Sequence, residues 1–235
     1  MVALPEQYLS VDDYLQLEAK SPIKHEYIDG KVYAMAGASD SHVTIAGNLF
    51  AALRSHIRGT GCRLYISAMK ACVEARNRFF YPDVMITCDR RDQKTDTYKR
   101  FPTLIVEVLS KSAEAFDRGD KFAAYQTIES LQEYVLINTR HKRVEIFCRS
   151  EFGRWVVQFY NADDETFALK SLDFMGTFAE LYEDVVLEPS EIPDEVQVEY
   201  DIPDMIKAFR SPWIVRQYRQ TISVSSCLHL NSCYR

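Results

Sequence analysis

Residues 103–109 read TLIVEVL, a nearly unbroken run of aliphatic and β-branched residues with one carboxylate, Glu107, in its middle. Such a run, short and without a polar alternation, predicts a strand covered on both faces, as in a sheet sandwiched between other layers. Upstream, residues 80–87 read FYPDVMIT, which again sets a single carboxylate, Asp83, inside an apolar stretch, directly after Pro82. An ionised carboxylate without a partner is costly to bury, so two of them on neighbouring buried strands point to a cation between them.

The surrounding segments alternate strand and helix patterns. Ser10 and Asp13 form a capping-box-like start to a short amphipathic helix that stops near Ser21-Pro22. HEYIDGKVYAMAG (25–37) reads as a hairpin turning on Asp29-Gly30. From Asp40 to Arg58, Val43, Ala46, Leu49, Phe50, Leu53 and Ile57 recur at helical spacing, and Gly59 is placed to end the helix. Three strand-like runs follow, at 63–69, 71–75 and 79–88, then a charged loop at 89–100. After the 103–109 strand come a helix over 117–130, strands over 133–138, 143–148 and 155–160, and a short helix around 177–182. This order predicts a mixed α/β domain over residues 1–188. Residues 189–235, proline-containing and acidic at first, read as a separate tail to which no role is assigned.

Composition sets outer limits. The chain has 235 residues, 47% hydrophobic and 12% aromatic, enough for one sizeable core. It shows no apolar run long enough for a membrane helix and no signal-like start, so a soluble, cytoplasmic protein is expected. Six cysteines without a CxxC pair are expected to be reduced thiols, with no zinc site. The net charge is -6, but residues 1–150 carry 21 Lys+Arg against 19 Asp+Glu, so the negative excess lies in the remainder. A nucleic-acid partner is therefore compatible with the first part, though an ordinary mixed surface would look the same. The loop DRRDQKTDTYKR (89–100) carries five basic residues and is a candidate phosphate contact, or simply a solvated loop.

Mg²⁺ suits the Asp83–Glu107 pair, because it takes carboxylate and carbonyl oxygens, including the backbone carbonyl of Val108, and keeps waters for substrate phosphates. Mn²⁺ would be an acceptable substitute. In DRGDKFAAYQ (117–126), Asp117, Lys121 and Tyr125 fall at i, i+4 and i+8, on one helix face. Lys121 is suited to hold an attacking water or neutralise a phosphate in the transition state. Asp-to-Lys at this spacing is equally the ordinary exposed helix ion pair. His42 starts the long helix, where a neutral imidazole bonded to backbone is the alternative to an accessory role.

Together, HEYIDGKVYAMAG with His42 shortly after, YPDVMIT, LIVEVLSKSAE, the DxxxKxxxY stretch and EYVLIN (133–138) resemble the "putative restriction endonuclease domain" family, a bacterial branch of the PD-(D/E)xK nuclease superfamily, over roughly residues 8–187. The resemblance implies a restriction-endonuclease-like core, a central four- or five-stranded mixed sheet flanked by helices, and a metal-supported site. It matches Glu26 to the family's early acidic residue, Asp83 to the PD aspartate and Glu107 to the third-strand acid. The superfamily's lysine would stand two residues after that acid, where this chain has Leu109. Lys121 on the following helix is then the matching lysine, in preference to Lys111 in the loop beyond the strand. The expected activity is Mg²⁺-dependent hydrolysis of double-stranded DNA by a homodimer. The alternative is a non-catalytic nucleic-acid-binding or assembly module that retains the fold.

Overall fold

A computed structural model describes residues 2–3 and 8–187 of the chain; the expected tail from residue 189 lies outside them. Two six-stranded sheets and one hairpin form the framework. The first sheet, in the order β1-β3-β2-β6-β5-β8, uses Val2–Ala3 (β1), His25–Ile28 (β2), Lys31–Ala34 (β3), Lys70–Val73 (β5), Arg78–Phe80 (β6) and Tyr98–Lys99 (β8). The second, β12-β11-β10-β9-β7-β4, uses Arg63–Ile66 (β4), Val84–Thr87 (β7), Leu104–Leu109 (β9), Glu133–Asn138 (β10), Arg143–Arg149 (β11) and Trp155–Asn161 (β12). Thr166–Leu169 (β13) and Phe174–Thr177 (β14) make the hairpin, whose strands the sequence reading left out. β9 runs parallel to β10 and antiparallel to β7, so the second sheet is mixed, as expected, and one strand wider than the resemblance implied.

β9 is buried along its whole length, with its two faces serving different layers. Leu104, Val106 and Val108 join the cluster built on helix α2 (Asp40–His56), with Ile45, Ala46, Leu49 and Leu53. Ile105 and Leu109 join a cluster with Ala124, Tyr125 and Phe80 on the other side. Glu107, between them in the alternation, belongs to that second face. α2 begins on an N-cap at Ser39 and is followed by Gly59 at φ +83°. Its buried stripe differs from the expected one: Ile45 is buried, whereas Val43, a helix position two residues away, is 59% exposed.

Helix α1 (Val11–Lys20) is capped by the Ser10 hydroxyl, which accepts from the Asp13 N–H. Its Tyr14 stacks on Tyr27 at 5.0 Å and contacts Phe79, fastening the helix to the first sheet. Asp29 and Gly30 adopt φ of 48° and 91°, the left-handed pair that a two-residue hairpin turn needs.

The expected strand over 79–88 is two strands. Proline has no N–H for a ladder, and Tyr81-Pro82-Asp83 breaks the run, sending β6 into the first sheet and β7 into the second. The expected helix over 117–130 starts earlier and ends sooner: Glu114–Phe116, a π turn at Asp117–Lys121 and Phe122–Tyr125 form one stretch, here called the site helix.

One expectation is corrected. Cys62 and Cys88 are joined in a disulfide, one position beyond the Arg63↔Thr87 pair of β4 and β7, while Cys72 and Cys148 remain thiols. A cross-strand pairing is set by sheet register between residues 26 apart, which the spacing of cysteines does not reveal. Cys227 and Cys233 lie outside the described residues. Among the described residues, no helix is long and apolar enough to cross a membrane.

Candidate active site

The break at Tyr81-Pro82-Asp83 and the centre of β9 meet in space. The β7–β9 ladder pairs Val84 with Val106, so its next step sets Asp83 opposite Glu107. Asp83 Oδ2 accepts from the Val108 N–H at 2.7 Å, and Oδ1 lies 2.9 Å from His42 Nε2 at the start of α2. Both side chains of the Asp83–His42 pair are about 15% exposed, 14% and 15%, and they form the edge of the site nearest solvent.

Behind that edge, Lys121 stands among three carboxylates. Its Nζ is 3.0 Å from Glu107 Oε1, 3.3 Å from Glu26 Oε1 and 3.3 Å from Asp117 Oδ1, and all four side chains are buried. They come from three local structures. Glu26 projects from β2, with its Oε1 accepting the Tyr81 N–H at 3.2 Å. Glu107 lies on β9 and accepts from the Tyr125 hydroxyl at 3.2 Å. Asp117 and Lys121 are held by the π turn, a helical irregularity often found where function is built. Phe80 lies 5.6 Å from the ammonium, and the Tyr134 hydroxyl donates to the Asp117 carbonyl at 3.0 Å.

Burial pushes the Glu107 carboxyl well above the ordinary carboxylate range, an effect that Lys121 opposes and the neighbouring carboxylates reinforce. Asp117 is raised for the same reasons. Burial acts to lower Lys121, but Glu107, Glu26 and the other acidic neighbours outweigh it and hold the amine charged. One lysine thus stands among three carboxyl groups, and burial disfavours the charged form of two of them, Glu107 and Asp117. Asp117 Oδ1 forms no hydrogen bond despite its nearness to Lys121.

Most of the side chains singled out in the sequence therefore converge: Glu26, Asp83, Glu107, Asp117, Lys121 and Tyr125, with His42 on the Asp83 carboxylate rather than on backbone alone. Val108 enters through its N–H. Lys111 is exposed in the turn after β9. The 89–100 loop does not join them, because it leaves the end of β7 opposite to Asp83, roughly 13 Å away at about 3.3 Å per residue. Part of its charge is also committed: Lys99 is buried, and Arg91 pairs with Asp89 at 2.6 Å.

Tyr81 escaped the sequence reading, although it directly precedes Pro82-Asp83. So did Glu18, which accepts from the Tyr81 hydroxyl at 2.7 Å and pairs with His25 at 3.0 Å.

The donor set, carboxyl oxygens from several strands and the site helix gathered in a desolvated setting, is the oxygen chemistry a hard divalent cation takes. Among the described residues, no three His, Cys, Asp or Glu side chains are gathered closely enough to hold one as they stand, with Lys121 between the acids.

Two relatives from Synechocystis sp. (strain ATCC 27184 / PCC 6803 / Kazusa), named Uncharacterized protein slr1290 and Uncharacterized protein sll1609, are 38% and 35% identical. The first alignment covers 72% of this chain and 88% of the relative, the second 67% and 90%. The crystal structure of a protein titled a putative nuclease belonging to DUF820, from Anabaena variabilis ATCC 29413, superposes with a TM-score of 0.62 at 14% identity. That match covers 74% of this chain and 97% of that one, and it shows a shared restriction-endonuclease-like fold. The family model described as "Putative restriction endonuclease" (Uma2) matches residues 11–176, a span that holds every residue of the site, and the chain belongs to that family.

Proposed function

We propose that this protein is a divalent-metal-dependent endonuclease that hydrolyses phosphodiester bonds of double-stranded DNA, with Mg²⁺ as its ion and Mn²⁺ as a working substitute. The observation that supports it best is the gathering of buried carboxyl groups: Glu26, Glu107 and Asp117 converge on Lys121, and Asp83 lies opposite Glu107 at the next step of the ladder. Asp83 and Glu107 would hold the ion with the Val108 carbonyl, and Glu26 would assist directly or through water. When bound, such an ion polarises a phosphoryl oxygen and lowers the pKa of a coordinated water. Lys121 serves the nucleophilic water or the charge developing on the phosphate, and Asp117 and Tyr125 fix its position. His42 orients Asp83 from the solvent side. Cutting both strands requires two sites or two events, for which we propose a homodimer; residues 1–188 form the nuclease domain of a cytoplasmic protein, and 189–235 an appended tail.

The test is incubation of the purified protein with plasmid DNA and Mg²⁺ or Mn²⁺, beside Asp83→Ala, Glu107→Ala and Lys121→Ala variants checked for folding. Metal-dependent cutting by the wild type, abolished in each variant, is the expected result. A second reading, a non-catalytic nucleic-acid-binding module, draws on the place of Lys121 itself, which fills the space between the carboxylates. Plasmid binding without cutting under either metal would favour it.

A further inference from the structure

Beside the acidic site lies a cationic feature that no step above uses. Lys24 and Lys70 both stand over the ring of Tyr81, with their ammonium nitrogens 5.7 and 5.4 Å from its centroid. Lys24 is exposed and donates to the Ser67 carbonyl at 2.7 Å. Lys70 is 8% exposed, and among the described residues its Nζ makes one hydrogen bond, a 3.3 Å contact to the Tyr81 hydroxyl.

An ammonium group has three donors. Each lysine commits one of them to a neutral oxygen, and among the described residues neither forms an ion pair with a carboxylate. Glu18 is the nearby acid, and its oxygens already accept from the Tyr81 hydroxyl, the His25 N–H and the His25 ring. Burial without a carboxylate partner lowers the Lys70 pKa, with Glu18 opposing from a distance.

Both lysines are tied to Asp83. Tyr81, which carries them, stands two residues before it, about 7 Å along an extended chain. Ser67, which holds Lys24, donates its N–H to the Asp83 carbonyl at 2.9 Å. A pair of cations with donors to spare therefore lies on the flank of the most solvent-accessible acid of the site.

Building on the nuclease reading, we infer that Lys24 and Lys70, set on the Tyr81 ring, form a subsite for a nucleic-acid backbone phosphate adjoining the one that reacts at Asp83. Lys24 makes the first contact from the surface. Lys70, held from behind by Tyr81, supplies the less hydrated charge. The subsite contacts phosphate alone, so it contributes affinity and register along the strand without reading sequence.

The experiment measures binding of a short DNA duplex by the full chain, with Ca²⁺ replacing Mg²⁺, across a salt series. Wild type is compared with Lys24→Ala, Lys70→Met, the double variant and the charge-retaining Lys70→Arg. Each lost phosphate contact should flatten the plot of log affinity against log salt by about 0.9, and the double variant by about twice that. Lys70→Arg should keep the wild-type slope. Lys24 is at the surface, so its variant tests the subsite even if Lys70→Met folds poorly. Tight wild-type binding with an unchanged slope in Lys24→Ala and the double variant would overturn the subsite and leave the nuclease reading intact. A wild type that binds no duplex at all would overturn both.

Discussion

Two buried lysines of this chain sit close to buried acids, and they differ in how completely their surroundings are satisfied. In the 89–100 segment, Asp92 and Lys99 are each 2% exposed. Asp92 accepts from the Arg100 N–H at 2.8 Å, the Phe101 N–H at 3.0 Å and the Thr87 hydroxyl at 2.7 Å. Lys99 donates to the carbonyls of Asp92 and Thr95. That cluster is a closed knot in which backbone groups and side chains complete one another. Around Lys121, by contrast, Glu26, Glu107 and Asp117 converge on one ammonium, with Asp83 facing Glu107 across the ladder. Burial alone does not mark a functional site. Unbalanced burial does, because a folded chain retains surplus buried charge of one sign only where something else offsets it.

The largest effect should come from Lys121→Met in metal-free protein. Removing the one cation strands the surrounding carboxylates, and breaking a buried ion cluster this way costs about 3–5 kcal/mol. Urea denaturation should show that loss and its partial recovery when Mn²⁺ is added. A loss below about 1 kcal/mol would mean that Lys121 neutralises little.

Asp92→Ala should follow, at about 3 kcal/mol, since it leaves the Arg100 and Phe101 N–H groups without their acceptor, at about 1–3 kcal/mol for each group left unsatisfied. Here the loss should be the same with and without divalent ion. Any rescue by metal would erase the distinction between the two clusters.

Glu107→Gln should give the smallest change, and one that depends on pH. Because burial raises the folded-state pKa of Glu107 above its ordinary value, the stability contributed by its protonated form is full below that ordinary value and is lost as pH rises through the raised one. The neutral glutamine escapes this loss. Metal-free variant and wild type should converge at low pH, with the variant gaining on wild type by up to about 1.4 kcal/mol per pH unit across the interval. Thermal melts at several pH values would check the sign, and a gap that narrows as pH rises would contradict it.

Much of the site was legible because its residues violate their local patterns. Glu107 interrupts an apolar strand and Asp83 follows a proline inside another, so a cost of burial is visible in each stretch alone. Asp117, Lys121 and Tyr125 share a helix face by spacing, and the π turn preserves that relation. Tyr81 carried no such anomaly: its N–H to Glu26 and its ring beneath two lysines join segments that are 55 and 11 residues apart or more distant in contact. Glu18, on an ordinary amphipathic helix, was equally silent, and the Cys62–Cys88 bond depended on register between two strands.

The sequence by itself determined the local elements: the Asp29-Gly30 hairpin, the Ser10 cap, the doubly buried β9 and the odd carboxylate on it. Those follow from backbone conformational preference and from the period of apolar residues, which act within a few positions. Tertiary structure decided that Pro82 would divide one apolar run between two sheets, that β7 and β9 would pair so as to face Asp83 with Glu107, and that Lys121 rather than Lys111 would stand among the acids. Those outcomes depend on which distant strands pair and in what register, and pairing is settled by the packing of whole layers, a quantity no single stretch of sequence contains.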